Sequence, residues 1–186
     1  MTKKTSTMAA VAVAGLLAIL APAFAANDTT QPDHKFAMEA AQGGMMEVDL
    51  GQLATQKGAS QAVKDFGQRM VTDHSKANQE LKQIASQKGM TLPTALPADK
   101  KQMREKLASS TGAEFDRMYM SHMVKDHEKD VKEFEKQAQK GNDPALRSFA
   151  EKTLPTLRQH LELAKTVAAQ VGADHGHGQH GAKSGS

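Results

Sequence analysis

Residues 60–89 read SQAVKDFGQRMVTDHSKANQELKQIASQKG, and this stretch carries the pattern that decides the fold. Apolar side chains return every three or four residues along it, at Val63, Phe66, Met70, Ala77, Leu81 and Ile84. That period matches one face of an α-helix, and Gly89 is a typical stop signal. The stretch therefore predicts a long amphipathic helix with His74 on its apolar face.

Three further stretches repeat the same period and predict three more long helices, over residues 34–57, 113–140 and 144–172. Asp33 is the predicted N-cap of the first of these helices, with Gly58 as its stop. Asp143 is the predicted N-cap of the last helix, followed by Pro144 at the first helical position. No stretch alternates with the period of a strand, so the pattern predicts an all-α protein.

The lengths of the connections predict how these helices are arranged. The short gaps at 58–59 and 141–142 predict two antiparallel helical hairpins. Residues 90–112 form a much longer connection, which contains a predicted short helix, Ala98–Ala108. Because a connection of this length can travel the length of a bundle, the sequence predicts a ferritin-like four-helix bundle, two hairpins joined by a long crossover.

Two sites break the rules of helix composition. Gly43 and Gly44 lie inside the first predicted helix, and Pro155 lies inside the last. Each glycine costs about 1 kcal/mol relative to alanine, and an internal proline removes a hydrogen bond. We interpret them as marks of a kink or a close helix crossing, and the apolar face that resumes after Pro155 predicts that the helix continues.

The first 25 residues predict export from the cytoplasm. Lys3 and Lys4 precede an uncharged run, residues 8–20, which is followed by Ala23-Phe24-Ala25. This is the order of a signal peptide cleaved after Ala25, and the run is shorter than the roughly 20 apolar residues of a membrane span. We therefore expect a cleaved leader over residues 1–25, a polar lead over 26–32 and a periplasmic bundle over 33–172, with no transmembrane span.

Composition narrows the classes of function. The chain has 24 Lys+Arg against 21 Asp+Glu, and two of the lysines belong to the predicted leader, so nucleic acid is not an expected partner. With no cysteine, the fold depends on its apolar core. Residues 173–186 form a Gly/His-rich tail that we expect to be disordered, and its His175, His177 and His180 are candidates for weak binding of Cu, Ni or Zn.

One strong ligand type interrupts the apolar face of each long helix: Glu47, His74, His127 and His160. At a rise of 1.5 Å per residue, His74 and His127 lie level if their helices run parallel, and the other two fall within about one turn of them. Buried imidazoles need a hydrogen-bond partner or a metal. The sequence predicts that the three histidines cluster and bind Zn, Cu, Fe or Ni, with Glu47 as fourth ligand or hydrogen-bond partner.

The chemistry of this predicted site differs from that of di-iron bundle enzymes. Those sites need Glu-x-x-His on two helices, whereas Val71 and Leu157 stand three residues before His74 and His160. No nucleophile motif or phosphate-binding loop occurs, so no catalytic residue is predicted. Three functions remain open: a non-enzymatic periplasmic metal-binding protein, a structural or stress-linked envelope protein without a metal, and a redox enzyme with a degenerate two-metal site.

Two segments of similar sequence suggest related halves. Met70-Val71-Thr72-Asp73-His74 is echoed by Met123-Val124-Lys125-Asp126-His127, although biased helical composition also produces such echoes by chance.

Short motifs in all four long helices together resemble one bacterial family. They are Gly43-Gly44-x-x-Glu47, Met70-Val71-x-Asp73-His74, Phe115-Asp116-x-x-Tyr119 with Met123-Val124-x-x-His127, and Leu154-Pro155-x-Leu157-x-x-His160. In this order they resemble the exported family catalogued as domain of unknown function 4142, whose members are often labelled outer-membrane proteins. The resemblance implies a ferritin-like four-helix bundle and implies no particular reaction or ligand set.

Overall fold

The computed structural model describes residues 30–173, and these residues form five helices and no strand. The helices are α1 (Gln31–Lys57), α2 (Gln61–Gln87), α3 (Ala98–Ala108), α4 (Gly112–Lys140) and α5 (Pro144–Gln170). The predicted all-α bundle is confirmed, including the bounds of the short helix α3. The predicted leader, most of the polar lead and nearly all of the tail lie outside the described residues.

The helices pack in the predicted ferritin-like order. α1 pairs with α2 and α4 with α5, and the two hairpins meet where α2 lies against α5 and α1 against α4. The start of α4 lies beside the start of α2, because the Asp116 carboxylate accepts hydrogen bonds from the backbone N–H groups of Ala59 and Ser60 at 3.0 and 2.8 Å. α2 and α4 therefore run parallel, as the long crossover predicts.

A second buried carboxylate ties together the opposite end of the bundle. Asp33 accepts hydrogen bonds from the Gln137 side chain at 2.8 Å and from the backbone of Asn142 at 3.1 Å. Burial alone would raise its pKa, but these bonds and those from Thr30 lower the pKa of Asp33 below its ordinary value. Asp33 thus links α1 to the turn between α4 and α5.

The prediction that Asp33 is the N-cap of α1 is wrong. Thr30 occupies the N-cap, and Asp33 is the third helical residue of a capping box in which its carboxylate accepts from the Thr30 backbone at 3.1 Å. The reason is that Pro32 fits the first turn of a helix, so α1 begins earlier than the apolar period indicates. The prediction of Asp143 as the N-cap of the last helix is confirmed, since its side chain accepts from Ala145 and Leu146.

Glycines allow α1 and α2 to cross closely. A Cβ atom on Gly51 would lie 2.6 Å from the carbonyl oxygen of Gly67, and one on Gly67 would lie 2.8 Å from that of Gly51. A Cβ on Gly44 would collide with the Asn78 side chain. The crossing explains why α1 tolerates helix-weakening glycine at these positions. α5 continues through Pro155, as predicted.

The core consists of two apolar clusters separated along the bundle axis. The first surrounds Leu50, Phe66 and Phe115, and the second surrounds Phe36, Phe134 and Phe149. Along α2, α4 and α5, a buried histidine lies between the residues of one cluster and those of the other. Within residues 30–173, no helix combines the length and apolarity needed to cross a membrane.

Candidate metal centre

Three histidines from three helices meet between the two apolar clusters. One ring nitrogen each from His74 of α2, His127 of α4 and His160 of α5 lie within 4.8 Å of one another. The ring centroids are 5.4 to 5.8 Å apart. The structure thus brings together the histidines that the depth estimate placed within about one turn of one another, and we refer to these three residues as the histidine cluster.

The histidine cluster is buried and has unpaired ring nitrogens. His127, His160 and His74 retain only 0%, 1% and 6% of their accessible surface. The Nε2 atoms of His74 and His127 and the Nδ1 atom of His160 have no hydrogen-bond partner within the described part of the chain. Each buried unpaired polar atom costs about 1–3 kcal/mol, so the cluster destabilises the fold unless something binds these atoms.

Hydrogen bonds orient two of the three rings. His127 Nδ1 donates to the main-chain oxygen of Met123 at 2.9 Å, which leaves the Nε2 lone pair free. His160 Nε2 lies 2.8 Å from the carboxylate of Asp73 and donates to it, which leaves the Nδ1 lone pair free. A carboxylate or carbonyl behind an imidazole is the arrangement that holds metal-binding histidines in the required tautomer.

Burial keeps the histidine cluster in the neutral form. Burial, and then the proximity of other imidazoles, lower the pKa of His74 to about 3 and that of His127 to about 4. Burial also lowers the pKa of His160, although the Asp73 carboxylate opposes the shift. Neutral imidazole is the form that binds metals, so near neutral pH few protons compete for these nitrogens.

Glu47, the fourth predicted ligand, contacts a different partner. Its carboxyl group is fully buried near Asp126, neither of its oxygens has a hydrogen-bond partner within the described part of the chain, and it is not part of the set of ligand atoms within 4.8 Å. Burial, and then the charge of Asp126, raise the pKa of Glu47 well above its ordinary value. Burial therefore favours the protonated, neutral form of the Glu47 carboxyl group. Its role as a ligand stays a prediction.

Two aspartates that the sequence analysis did not name as site residues lie beside the candidate ligands. Asp73 and Asp126 each stand immediately before a histidine of the repeated Asp-His segment. Asp73 contacts His160 across the α2–α5 interface, and Asp126 contacts Glu47 across the α1–α4 interface. The two aspartates occupy equivalent positions in the repeat, and each contacts a buried residue of a neighbouring helix, which is His160 for Asp73 and Glu47 for Asp126. The Asp-His repeat was the available signal for these residues.

The Glu47 side of the centre contains further buried polar groups. Burial, and then the charge of Asp126, raise the pKa of Asp130 to about 8. Burial and the proximity of Glu47 raise the pKa of Tyr119, whose hydroxyl has no partner among residues 30–173. His122 is half-buried, and its Nε2 has no hydrogen-bond partner in the part of the chain that the structure describes. The polar layer therefore extends from the histidine cluster towards α1.

The donor set fits a divalent transition metal. Imidazole nitrogens bind zinc at about 2.0–2.1 Å, so three of them around a tetrahedral ion lie roughly 3.4 Å apart. The present separations, which are at most 4.8 Å, exceed that value, so binding requires the rings to move closer together. Three neutral nitrogens suit Zn, Cu, Fe or Ni and leave one position for a further ligand.

Comparison with known proteins agrees with this fold. Residues 20–167 match the family described as Domain of unknown function (DUF4142). The chain belongs to this family. The resemblance inferred from the four motifs is thereby confirmed. A search of curated proteins finds no match.

Two solved structures share the fold of this DUF4142 protein at low sequence identity. A DUF305 fragment from Deinococcus radiodurans is 12% identical with a TM-score of 0.67, over 76% of this chain and 98% of that chain. A DUF305 protein from Streptomyces coelicolor, titled a "putative secreted protein", is 13% identical with a TM-score of 0.68, over 83% of this chain and 100% of that chain. At such identities the likeness shows the fold alone.

Proposed function

We propose that this protein is a non-enzymatic metal-binding protein of the periplasm, which holds one transition-metal ion through His74, His127 and His160. The observation that carries the proposal is the convergence of one ring nitrogen from each of three buried histidines within 4.8 Å, in a cluster where each ring also has a nitrogen without a partner among the described residues. Such atoms are rare in native proteins, because each one costs free energy unless a ligand satisfies it. A bound metal ion accounts for all three at once.

The rival function, a structural or stress-linked envelope protein, needs the histidines to satisfy one another. Hydrogen bonds between the rings would pair a nitrogen of one imidazole with a nitrogen of the next. The nitrogens that face the cluster instead have no partner within residues 30–173. This favours the metal-binding proposal over the structural one.

The location rests on the sequence of the leader and on one structural neighbour. We propose that residues 1–25 are a signal peptide cleaved after Ala25, with the order of charge, apolar run and small residues that export requires. The Streptomyces coelicolor neighbour carries a title that describes it as secreted. Both support an exported protein, and the periplasm is the compartment that we propose.

Metal analysis of protein isolated from the cell envelope tests the function. The protein carries no affinity tag, and His175, His177 and His180 of the tail are replaced by alanine in every sample. We expect about one transition-metal ion per chain, and loss of that ion in His127→Ala. His34→Ala is the matched control, because His34 is exposed near the start of α1. If metal content is the same in both variants, or if protein dialysed against Zn²⁺, Cu²⁺, Fe²⁺ or Ni²⁺ retains none, the proposal is wrong.

The pH dependence of metal binding provides a second test. From the sequence alone, binding should weaken below about pH 6.5, the ordinary histidine pKa. Burial lowers the pKa of His74 to about 3 and that of His127 to about 4. A competing proton therefore binds these ring nitrogens only at more acidic pH, and we now expect affinity to fall mainly as the pH approaches 4. Equilibrium dialysis between pH 7 and pH 4 measures this window.

A further inference from the structure

The histidine cluster is closed on most sides. The apolar clusters cover it along the bundle axis in both directions. The closest helix packing is within the two hairpins, and α3 lies against both α1 and α4 over the interface between them. Within residues 30–173, α3 is not packed in this way over the remaining interface, between α2 and α5. An ion must cross one of these interfaces, and the α2–α5 interface has an open surface cleft beside the histidine cluster.

Asp73 connects that interface to the histidine cluster. It lines a surface cleft of about 270 Å³ between α2 and α5, together with Lys76, Ala77, Glu80, Lys152, Thr153 and Thr156, so two carboxylates and two ammonium groups border the cleft. Its side chain retains 31% of its accessible surface, whereas that of His160 retains 1%. The same carboxylate oxygen, Oδ2, hydrogen-bonds to His160 Nε2 at 2.8 Å. One carboxylate thus faces solvent and also contacts a buried candidate ligand.

We propose that a divalent metal ion enters the histidine cluster through the α2–α5 cleft, with Asp73 as its first protein ligand. The proposal rests on the proposed function of the histidine cluster. A half-exposed carboxylate attracts a cation and replaces part of its water shell. An ion bound to Oδ2 also displaces the hydrogen bond to His160, which frees that ring to turn and pass the ion inward. Asp73 is in this way an entry residue and a positioning residue for His160.

Arg69 opposes entry at the same point. Its Nε lies 3.4 Å from Asp73 Oδ2, and its Nη2 donates to the Gln159 side chain of α5 at 3.3 Å. The guanidinium therefore bridges α2 and α5 beside the entry carboxylate. A fixed positive charge there repels an arriving cation and competes with it for Asp73. Removing this charge should speed uptake without changing any ligand.

Stopped-flow mixing with Co²⁺ tests the entry route, since the visible absorption of Co²⁺ changes on binding to imidazole. The full chain is used with the three tail histidines replaced by alanine. Asp73→Asn keeps an oxygen that accepts from His160 but removes the charge, and we expect uptake to slow by about tenfold or more. Arg69→Gln should speed uptake about twofold or more. Asp65→Asn is the control, because it removes the same charge from an exposed site on α2.

A second variant blocks the cleft without touching Asp73. Thr156→Trp fills the cleft from α5, so it should also slow uptake while leaving about one Co²⁺ bound per chain at equilibrium. Unchanged rates in both Asp73→Asn and Thr156→Trp, with normal equilibrium binding, refute the route and leave the proposed function standing. If the unaltered histidine cluster binds no Co²⁺ at equilibrium, both proposals fail. Slow uptake in both variants, with an unchanged rate in Asp65→Asn, supports the route.

Discussion

Replacing His74 with leucine should stabilise the metal-free protein while abolishing its response to metal. His74 is 6% exposed, and its Nε2 atom has no partner within residues 30–173. The substitution therefore removes a buried unpaired atom, worth about 1–3 kcal/mol. Leucine is of similar size and adds apolar surface between the two clusters. We expect a net gain of about 1–2 kcal/mol in the free energy of unfolding.

Metal should make the unaltered protein more stable than His74→Leu, which reverses their order in the absence of metal. A ligand present at a hundred times its dissociation constant stabilises the folded state by about 2.7 kcal/mol. We expect Zn²⁺ to raise the stability of the unaltered protein by that order and to leave His74→Leu unchanged. The unaltered protein is then the less stable of the two in EDTA and the more stable in Zn²⁺. Because the two proteins differ at one side chain only, this reversal of their stabilities reports metal binding at the histidine cluster.

Urea unfolding followed by far-UV circular dichroism, in EDTA and in excess Zn²⁺, measures both effects. Met70→Leu is the control, because Met70 lies one turn earlier on α2, is fully buried and carries no polar group. Such volume-conserving changes usually alter stability by less than about 1.5 kcal/mol. If His74→Leu is less stable than Met70→Leu by more than about 1 kcal/mol in EDTA, the imidazole is satisfied in the native state. That result would refute the reasoning and favour the structural function.

Three further predictions concern the fold and its export. Gly67→Ala should destabilise the protein by about 1–3 kcal/mol in urea unfolding, since a Cβ there would lie 2.8 Å from the Gly51 carbonyl oxygen; an unchanged midpoint would contradict the close crossing. Asp33→Ala should lower the free energy of unfolding by about 2–4 kcal/mol at pH 7, because it leaves several buried donors unpaired. The pKa of Asp33 is lowered in the folded protein, so its carboxylate stabilises the fold at neutral pH and loses this effect as the pH falls through that pKa. The difference in stability between Asp33→Ala and the unaltered protein should therefore shrink in acid. Intact mass of protein recovered from the cell envelope should correspond to a chain that begins at Ala26, and recovery of the uncleaved chain would contradict the predicted leader.

Much of the fold was predictable because it depends on local pattern. The apolar period of each helix and the short gaps at 58–59 and 141–142 depend only on neighbouring residues. The hairpins and α3 follow from them, and the parallel course of α2 and α4 follows from the length of the crossover. The start of α1 was harder to predict, because Thr30 and Asp33 are both good capping residues and share one capping box.

The position of the site residues along the bundle axis was predictable, whereas the rotation of each helix about its own axis was less so. The rise per residue placed His74 and His127 level and His160 within about one turn of them, and the three converge. The same ruler placed Glu47 near them, but the structure turns its carboxyl group towards Asp126. A helical position fixes how far along the bundle a side chain lies. Which residue that side chain contacts depends on how each helix is rotated against the next.

The sequence by itself determined four amphipathic helices, their hairpins and the level at which one polar residue interrupts each apolar face. These features follow from helical geometry and from the burial of apolar side chains, both of which act along the chain. Only the tertiary structure decided that Asp73 contacts His160, 87 residues away, and that one ring nitrogen from each of three histidines lies within 4.8 Å of the others. Such contacts depend on how separate helices pack, because hydrogen bonding and burial join residues that are neighbours in space and distant in sequence.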